Sequence, residues 1–194
     1  MLWAWLPLIG LVAFLAVGCL WRPWLHRRRY GSSGLWLFRS GRTSQHIRDA
    51  FGVLLALALV AQAALVTPPP LSPGWRFAGA VLLFGGIVLL VAGQLNLGAS
   101  WRVGIEEHAS PGLVTSGIYR WSRNPIFLSM LISVAGYALL LPTHVSLILL
   151  IGAYVGIRAQ IRLEEDYLLR VYGEAYRAYA RRVGRLIPGI GRFR

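Results

Sequence analysis

Five apolar runs set the rhythm of the chain, at about 2–20, 50–66, 75–97, 126–141 and 145–161. A helix crosses the hydrocarbon of a bilayer with about 20 apolar residues, within a range of about 17–25. The third run fits that length. The fourth and fifth are shorter and are parted only by Pro142, Thr143 and His144, which predicts a tight helical hairpin. Its helices either extend past the lipid or sit where the bilayer thins. From residue 163 the pattern changes. Leu163, Tyr167, Leu168, Val171, Tyr172, Tyr176, Tyr179 and Val183 recur at helical spacing, with arginines and acids mostly between them. This predicts a C-terminal amphipathic helix, weakened at Gly173, that lies on the headgroups with a tyrosine belt or covers a pocket. The predicted fold class is an all-α integral membrane bundle of about five transmembrane helices plus that amphipathic helix. It forms a single membrane domain, 1–194, without linker or repeat.

The connections add direction. Residues 21–49 carry Arg22, Arg27, Arg28, Arg29, Arg39, Arg42 and Arg48, whereas 67–74 carry no charge. Residues 98–125 carry Arg102, Arg120 and Arg123 beside Glu106 and Glu107, and the tail from 162 holds eight arginines. The positive-inside rule therefore places the first basic loop, the 98–125 loop and the tail in the cytoplasm. The N-terminus, the proline loop and the 142–144 turn lie outside. An uncleaved first span is expected, because no basic segment precedes it and the arginine cluster follows it. The stretch 35–48, apolar and then basic, is expected along the interface.

Composition agrees with this picture and narrows it. The chain is 56% hydrophobic with a mean hydropathy of +0.57, too apolar for an ordinary soluble domain. All 20 basic residues are arginine, and the net charge is +13. No basic recognition module accompanies that charge, so the lipid bilayer and not nucleic acid is the expected partner. The lone Cys19 makes no intrachain disulfide. His26, His46, His108 and His144 are scattered without metal-ligand spacing, and no metal is expected. No Gly-x-Gly-x-x-Gly follows a strand, which excludes a soluble dinucleotide-type fold.

The chemistry gathers at the mouth of the hairpin. Residues 119–127 read Tyr-Arg-Trp-Ser-Arg-Asn-Pro-Ile-Phe. Pro125 biases Asn124 away from the helical region, and Asn followed by Pro suits an N-cap and first helical position. On this reading alone, a capped helix with Arg120 and Arg123 anchored on phosphates needs no chemistry. However, Glu164 and Glu165 follow the fifth run directly, and a hairpin returns its ends to one side. Arg123 and Asn124 are thereby expected to face Glu164 and Glu165. Arg158 and Arg162 precede the pair at one-turn spacing, with Glu165 three residues beyond Arg162. Ionisable groups at membrane depth are costly and count as functional candidates, with plain salt bridging as the alternative.

Four ordered stretches carry a resemblance: Leu-Val-Thr-Ser-Gly-Ile-Tyr-Arg-Trp-Ser-Arg-Asn-Pro-Ile-Phe (113–127), Leu-Glu-Glu-Asp-Tyr-Leu-Leu (163–169), Gly-Glu-Ala-Tyr-Arg-Ala-Tyr (173–179) and Ile-Pro (187–188). Together they resemble the isoprenylcysteine carboxyl methyltransferase family and the related phospholipid methyltransferases, over about residues 93–190. Residues 1–92 carry no usable motif. The family pattern is Arg-His-Pro-x-Tyr-x-Gly followed by Glu-Glu-x-x-Leu. Asn124 stands for the histidine, Phe127 for the tyrosine and Ser129 for the glycine, while Glu164 to Leu168 is intact. Asn keeps a side-chain donor and acceptor but does not titrate.

The resemblance implies an S-adenosylmethionine-dependent membrane methyltransferase with a lipophilic or prenylated acceptor. Glu164 and Glu165 suit the cofactor's amino or ribose groups. Arg123 and the free N–H groups after Asn124 and Pro125 suit its carboxylate. Tyr119, Phe127, Tyr176 and Tyr179 wall the adenine or cover the sulfonium. A carboxylate acceptor needs no general base, only alignment and an arginine to hold it. Arg162 is the first candidate and Arg158 the second, with Glu165 beside them as catalytic. An amine or thiol acceptor of another amphiphile is the alternative. An NADPH-dependent membrane reductase and a non-catalytic relative are the remaining rivals. The setting expected is a bacterial inner membrane with the site on the cytoplasmic face; oligomeric state is open.

Overall fold

Backbone polar groups carried into lipid must bond to one another, which favours helices. The computed structural model describes residues 2–39, 43–103 and 112–193. Among these, the elements are helical, joined by loops with two isolated bridges, Leu35 to Val103 and Ser122 to Gly184. α1 (Leu6–Leu15) runs through a π-helical segment (Ala16–Trp21) into α2 (Arg22–Tyr30). Pro23 explains the wide turn. It has no N–H to give, and its ring would press on the carbonyl one turn back. α3 (Thr43–Leu65), α4 (Pro73–Leu97), α5 (Pro125–Leu140) and α6 (His144–Arg182) follow. Ser72 caps α4 by accepting from the Trp75 N–H at 3.4 Å, and Thr143 caps α6 by accepting from the Ser146 N–H at 3.0 Å.

Four helical stretches are long and apolar enough to cross a membrane: Trp3–Tyr30, Thr43–Leu65, Pro73–Ser100 and His144–Arg182. Pro125–Leu140 is the shorter apolar helix between them. The chain is therefore an all-α integral membrane protein, as its apolar runs predict.

Three boundaries differ from the expectation. The first helix does not end with its apolar run but continues through the arginines to Tyr30. The 35–48 stretch does not lie as one interfacial piece, since α3 already begins at Thr43. The tail is not a separate helix: α6 is continuous from the hairpin turn past Glu164 and Glu165, interrupted only at Gly173 (φ 51°, ψ −121°). The reason is common to all three. Hydropathy reports where side chains leave lipid, whereas helix propagation is cooperative and continues into the polar layer.

α4 and α5 approach closely through small residues. Gly79, Gly86 and Gly93 share the buried face of α4 with Leu83 and Leu90, against Ser129, Ser133, Gly136 and Leu140 of α5. A Cβ on Gly136 would stand 2.7 Å from the Gly79 carbonyl oxygen, and one on Gly86 2.8 Å from that of Ser129. Lipid tails give helices no hydrophobic reason to associate, so such close backbone packing holds them together. At the opposite end from the basic loops, Gln62 donates to Thr143 Oγ1 (2.6 Å) and Ser146 Oγ (3.0 Å), and its Oε1 lies 2.9 Å from the Tyr137 hydroxyl. This ties α3 to the α5–α6 turn, beside the apolar cluster of Leu11, Leu59, Ala63, Tyr137 and Leu141. With the turn fixed there, the other ends of α5 and α6 meet at the basic end of the bundle.

Candidate functional site

The segment before α5 is pinned from two sides. Asn96, in the last turn of α4, accepts the Ile118 N–H on Oδ1 at 3.2 Å. The Tyr119 hydroxyl reaches the Gly93 carbonyl at 3.4 Å, and the Tyr119 carbonyl accepts the Tyr179 hydroxyl at 2.6 Å. The residues that follow, Ser122, Arg123, Asn124 and Pro125, are all buried.

Arg123 is the hub. Its Nε and Nη2 donate to Glu165 Oε1 at 3.0 and 2.8 Å. Nη1 donates to the carbonyls of Ala180 (3.0 Å) and Val183 (2.6 Å), and Nη2 also to that of Gly191 (3.1 Å). All five guanidinium N–H groups are thereby engaged. Glu165, 3% exposed, is equally occupied: Oε2 takes Nε (2.8 Å) and Nη2 (2.7 Å) of Arg185, and Asn124 Nδ2 approaches Oε1 at 3.4 Å. Both oxygens of this buried carboxylate are thus taken up by charge-assisted hydrogen bonds.

The last residues form a hook over this pair. The Arg123 N–H donates to the Gly184 carbonyl at 3.0 Å, and Asn124 Nδ2 to that of Arg185 at 3.0 Å. A Cβ on Gly184 would stand 2.9 Å from both the Gly189 nitrogen and the Ile190 oxygen, so the turn closes only around glycine. The Phe193 ring sits 5.2 Å from the Arg123 guanidinium and edge-on to Tyr176. Asn124 does begin α5, but its side chain does not cap it; the amide faces Glu165 and the hook instead.

Glu164 differs from its neighbour. It stands beyond the apolar stretch 144–161 of α6, is half-buried, and among the described residues accepts one hydrogen bond, from Gln160 Nε2 at 3.1 Å. Burial pushes its carboxyl up to about 6; the Gln160 bond and the Arg102 charge pull the other way, and Glu165 adds to the rise. Around it the phenols stay neutral. Burial is the main cause that raises Tyr119, Tyr176 and Tyr179 well above the usual range. Tyr176 is 1% exposed, with its hydroxyl close to the Arg123 guanidinium, and among the described residues the buried hydroxyl of Tyr172 has no partner. A buried hydroxyl without a partner at this end of the bundle leaves a donor for a polar ligand.

The structure thus brings Tyr119, Arg123, Asn124, Pro125, Glu164, Glu165, Tyr176 and Tyr179 to one end of the bundle. Phe127 is half-buried in the first turn of α5. Arg158 and Arg162 stand apart: Arg158 packs over the Tyr154 ring at 5.9 Å, and Arg162 is exposed where Glu165 is buried. Glu106, Glu107 and His108, like Arg42, lie outside the described residues. Arg185, Arg102 and Gln160 were not singled out by sequence. Arg185 directly precedes Leu186-Ile187-Pro188, and Gln160 lies four residues before Glu164, the only local signals either offers.

The fold and this knot define an all-helical membrane protein whose polar centre is carried by α5, α6 and the tail. A sequence model of the phospholipid methyltransferase family matches residues 75–175, more than half of the chain, and the chain belongs to that family. Protein-S-isoprenylcysteine O-methyltransferase of Dictyostelium discoideum is 30% identical over 119 residues, 60% of this chain and 50% of that protein. Protein-S-isoprenylcysteine O-methyltransferase A of Arabidopsis thaliana is 30% identical over 129 residues, 63% of this chain and 64% of that one. Methanethiol S-methyltransferase of Mycobacterium tuberculosis is 39% identical over 89 residues, 46% and 35% of the two. The chain therefore spans between about a third and two thirds of the length of the curated relatives it matches. Among solved structures, the eukaryotic intramembrane Ras methyltransferase ICMT (isoprenylcysteine carboxyl methyltransferase) superposes with a TM-score of 0.60 at 19% identity, covering 97% of this chain and 70% of that one. That likeness concerns the fold.

Proposed function

We propose that the protein transfers a methyl group from S-adenosylmethionine to a lipophilic acceptor, with a carboxylate of the isoprenylcysteine type first among acceptors. The observation that carries this reading is the division of labour within the glutamate pair. Glu165 is consumed by Arg123 and Arg185, whereas Glu164 beside it accepts only from Gln160 among the described residues and lies near enough to the buried Tyr119 phenol for its charge to be felt there.

When bound, the cofactor supplies an electrophilic methyl group on a sulfonium. The chain's own residues do the rest. Glu164 holds the cofactor's cationic or hydroxyl groups; Tyr172 offers a buried hydroxyl that has no partner among the described residues. Tyr119 and Tyr179 wall the pocket. Arg123, with no N–H to spare, holds the site's shape and contacts the ligand only if the hook loosens. A carboxylate acceptor arrives ionised, so these residues need only orient it and exclude water. Among the arginines at this end, Arg162 is exposed and Arg102 lies close enough to Glu164 to lower its pKa, so both suit the acceptor's charge. On this reading the site faces the cytoplasm, following the arginine-rich loops.

A second reading, a small thiol as acceptor, is favoured by the likeness to methanethiol S-methyltransferase. A thiol must lose its proton, and Glu164 is the site carboxyl shifted toward neutrality. The test is transfer of radiolabelled methyl by the purified protein to an S-prenylated cysteine derivative, to phosphatidylethanolamine and to a simple thiol, in parallel. Base-labile label on the first supports the carboxylate, and label on the third the thiol. No transfer to any of the three, by protein that binds the cofactor, removes these acceptors.

A further inference from the structure

The hook that closes over Arg123 carries an outward face of its own. Its tip is the turn Ile187, Pro188, Gly189 and Ile190. The Ile190 N–H donates to the Ile187 carbonyl at 3.1 Å, and the Arg185 N–H to the Ile190 carbonyl at 2.8 Å. Pro188 fixes the first central position of this turn, and Gly189, at φ 81°, supplies the positive φ of the second. The turn is therefore stiff, and it holds two isoleucines away from the protein: Ile187 is 51% and Ile190 64% exposed. Trp121 is 58% exposed, directly before the Ser122–Gly184 bridge that joins the hook to the start of α5. Large apolar side chains held outward on two joined loops mark a surface made for a partner.

The helices give the depth of that surface. α5 has 16 residues and rises about 24 Å, against about 30 Å of bilayer hydrocarbon. Glu165 stands about 32 Å along α6 from His144. The hook is bonded at both levels, to Arg123 and Asn124 before α5 and to Glu165 through Arg185. It therefore lies at the edge of the hydrocarbon and not out in bulk water. Arg120, whose guanidinium lies 5.1 Å from the Trp121 ring, and Arg192 are both exposed beside these side chains. Tryptophan at headgroup level, with arginines that reach for phosphates, is the usual company of an interfacial anchor. We propose that the Ile187–Ile190 turn and Trp121 seat in the boundary between the headgroups and acyl chains of the bilayer that the helices cross. Seated there, the hook keeps the Val183 and Gly191 carbonyls on Arg123, so the lipid surface holds the knot closed. This anchor does not depend on the methyltransferase reading.

The test uses the full chain in nanodiscs of phosphatidylcholine and phosphatidylglycerol, a single chain in each disc. In a Cys19→Ser background, free of the chain's lone cysteine, a nitroxide is attached in turn to Ile187→Cys, Ile190→Cys, Val155→Cys and Glu174→Cys. Val155, 59% exposed in the apolar stretch of α6, is the lipid reference, and Glu174, with its side chain 68% exposed, is the water reference. Electron paramagnetic resonance reads collisions with oxygen, which concentrates in lipid, against collisions with a nickel chelate confined to water. The oxygen-to-nickel ratio at 187 and 190 is expected to lie several-fold above that at Glu174 and to approach that at Val155. A ratio equal to that at Glu174 overturns the proposal. So does a water-like ratio in single-chain discs together with spin–spin broadening in crowded vesicles, which assigns the turn to a second copy of the chain. In unlabelled protein, Ile187→Asp combined with Ile190→Asp is expected to speed trypsin cleavage after Arg185 several-fold in the discs; both side chains are exposed, so the bundle folds without them. An unchanged cleavage rate shows that lipid does not hold the hook and likewise overturns the proposal.

Discussion

Replacing Glu165 by glutamine separates the two roles assigned to the glutamate pair. The change keeps the shape and removes the charge that Arg123 and Arg185 share. Glu165 is 3% exposed, and four guanidinium contacts of 2.7–3.0 Å end on its oxygens. Arg123 keeps its three carbonyl acceptors, but its charge is left buried without compensation. Breaking a buried pair on one side costs about 3–5 kcal/mol. In a chain of this size each kcal/mol moves the midpoint by about 2–4 °C, so a fall of about 6–20 °C follows. Glu164→Gln removes a half-buried charge with a single Gln160 contact, and its midpoint should stay within about 2 °C of wild type. The assay is thermal unfolding of both variants in the same detergent, by intrinsic fluorescence. If Glu165→Gln unfolds with the wild type while Glu164→Gln unfolds early, the assignment of structural and binding roles is refuted.

Three further outcomes follow. Gly136→Val forces α4 and α5 apart, because the added carbon meets the Gly79 carbonyl; a loss of about 1–3 kcal/mol or more is expected in the same unfolding assay, without direct contact with the polar site. Gly184→Ala opens the hook, since its Cβ meets the Gly189 nitrogen and Ile190 oxygen; proteolysis at 185–193 should accelerate and cofactor affinity fall while the bundle keeps its helix content by circular dichroism. Binding of S-adenosylmethionine should depend on pH through Glu164. Burial favours its protonated form up to about 6, and a cationic ligand needs the anion, so affinity is greatest above 6 and falls about tenfold per unit below it. Glu164→Gln should flatten that profile in calorimetric titrations.

Much of this architecture was legible because lipid imposes one simple rule on sequence. The apolar runs locate the spanning helices, and the Pro142-Thr143-His144 break makes the last two a hairpin. From the hairpin alone it follows that residue 123 stands near residue 165, and the structure joins them at 2.8 Å. Other features leave no local trace. The hook from Val183 to Phe193 returns to Arg123 through backbone carbonyls, which any residue provides. Arg185 pairs with Glu165 across a turn that no periodicity marks. Reading Arg158, Arg162 and Glu165 as one helical stripe overlooks how α6 packs, since burial takes Glu165 and leaves Arg162 in the open. Arg22 looks like one more loop arginine in the sequence; only the continued helix and the approach of Trp101 show it to be buried.

The most direct measurement is calorimetric titration of S-adenosylmethionine into the purified full chain in detergent, beside Glu164→Gln verified as folded. Saturable binding by the wild type, lost or greatly weakened in Glu164→Gln, is the expected result. Absence of binding by the folded wild type contradicts the methyltransferase account, and NADPH is then the cofactor to titrate into the same cell.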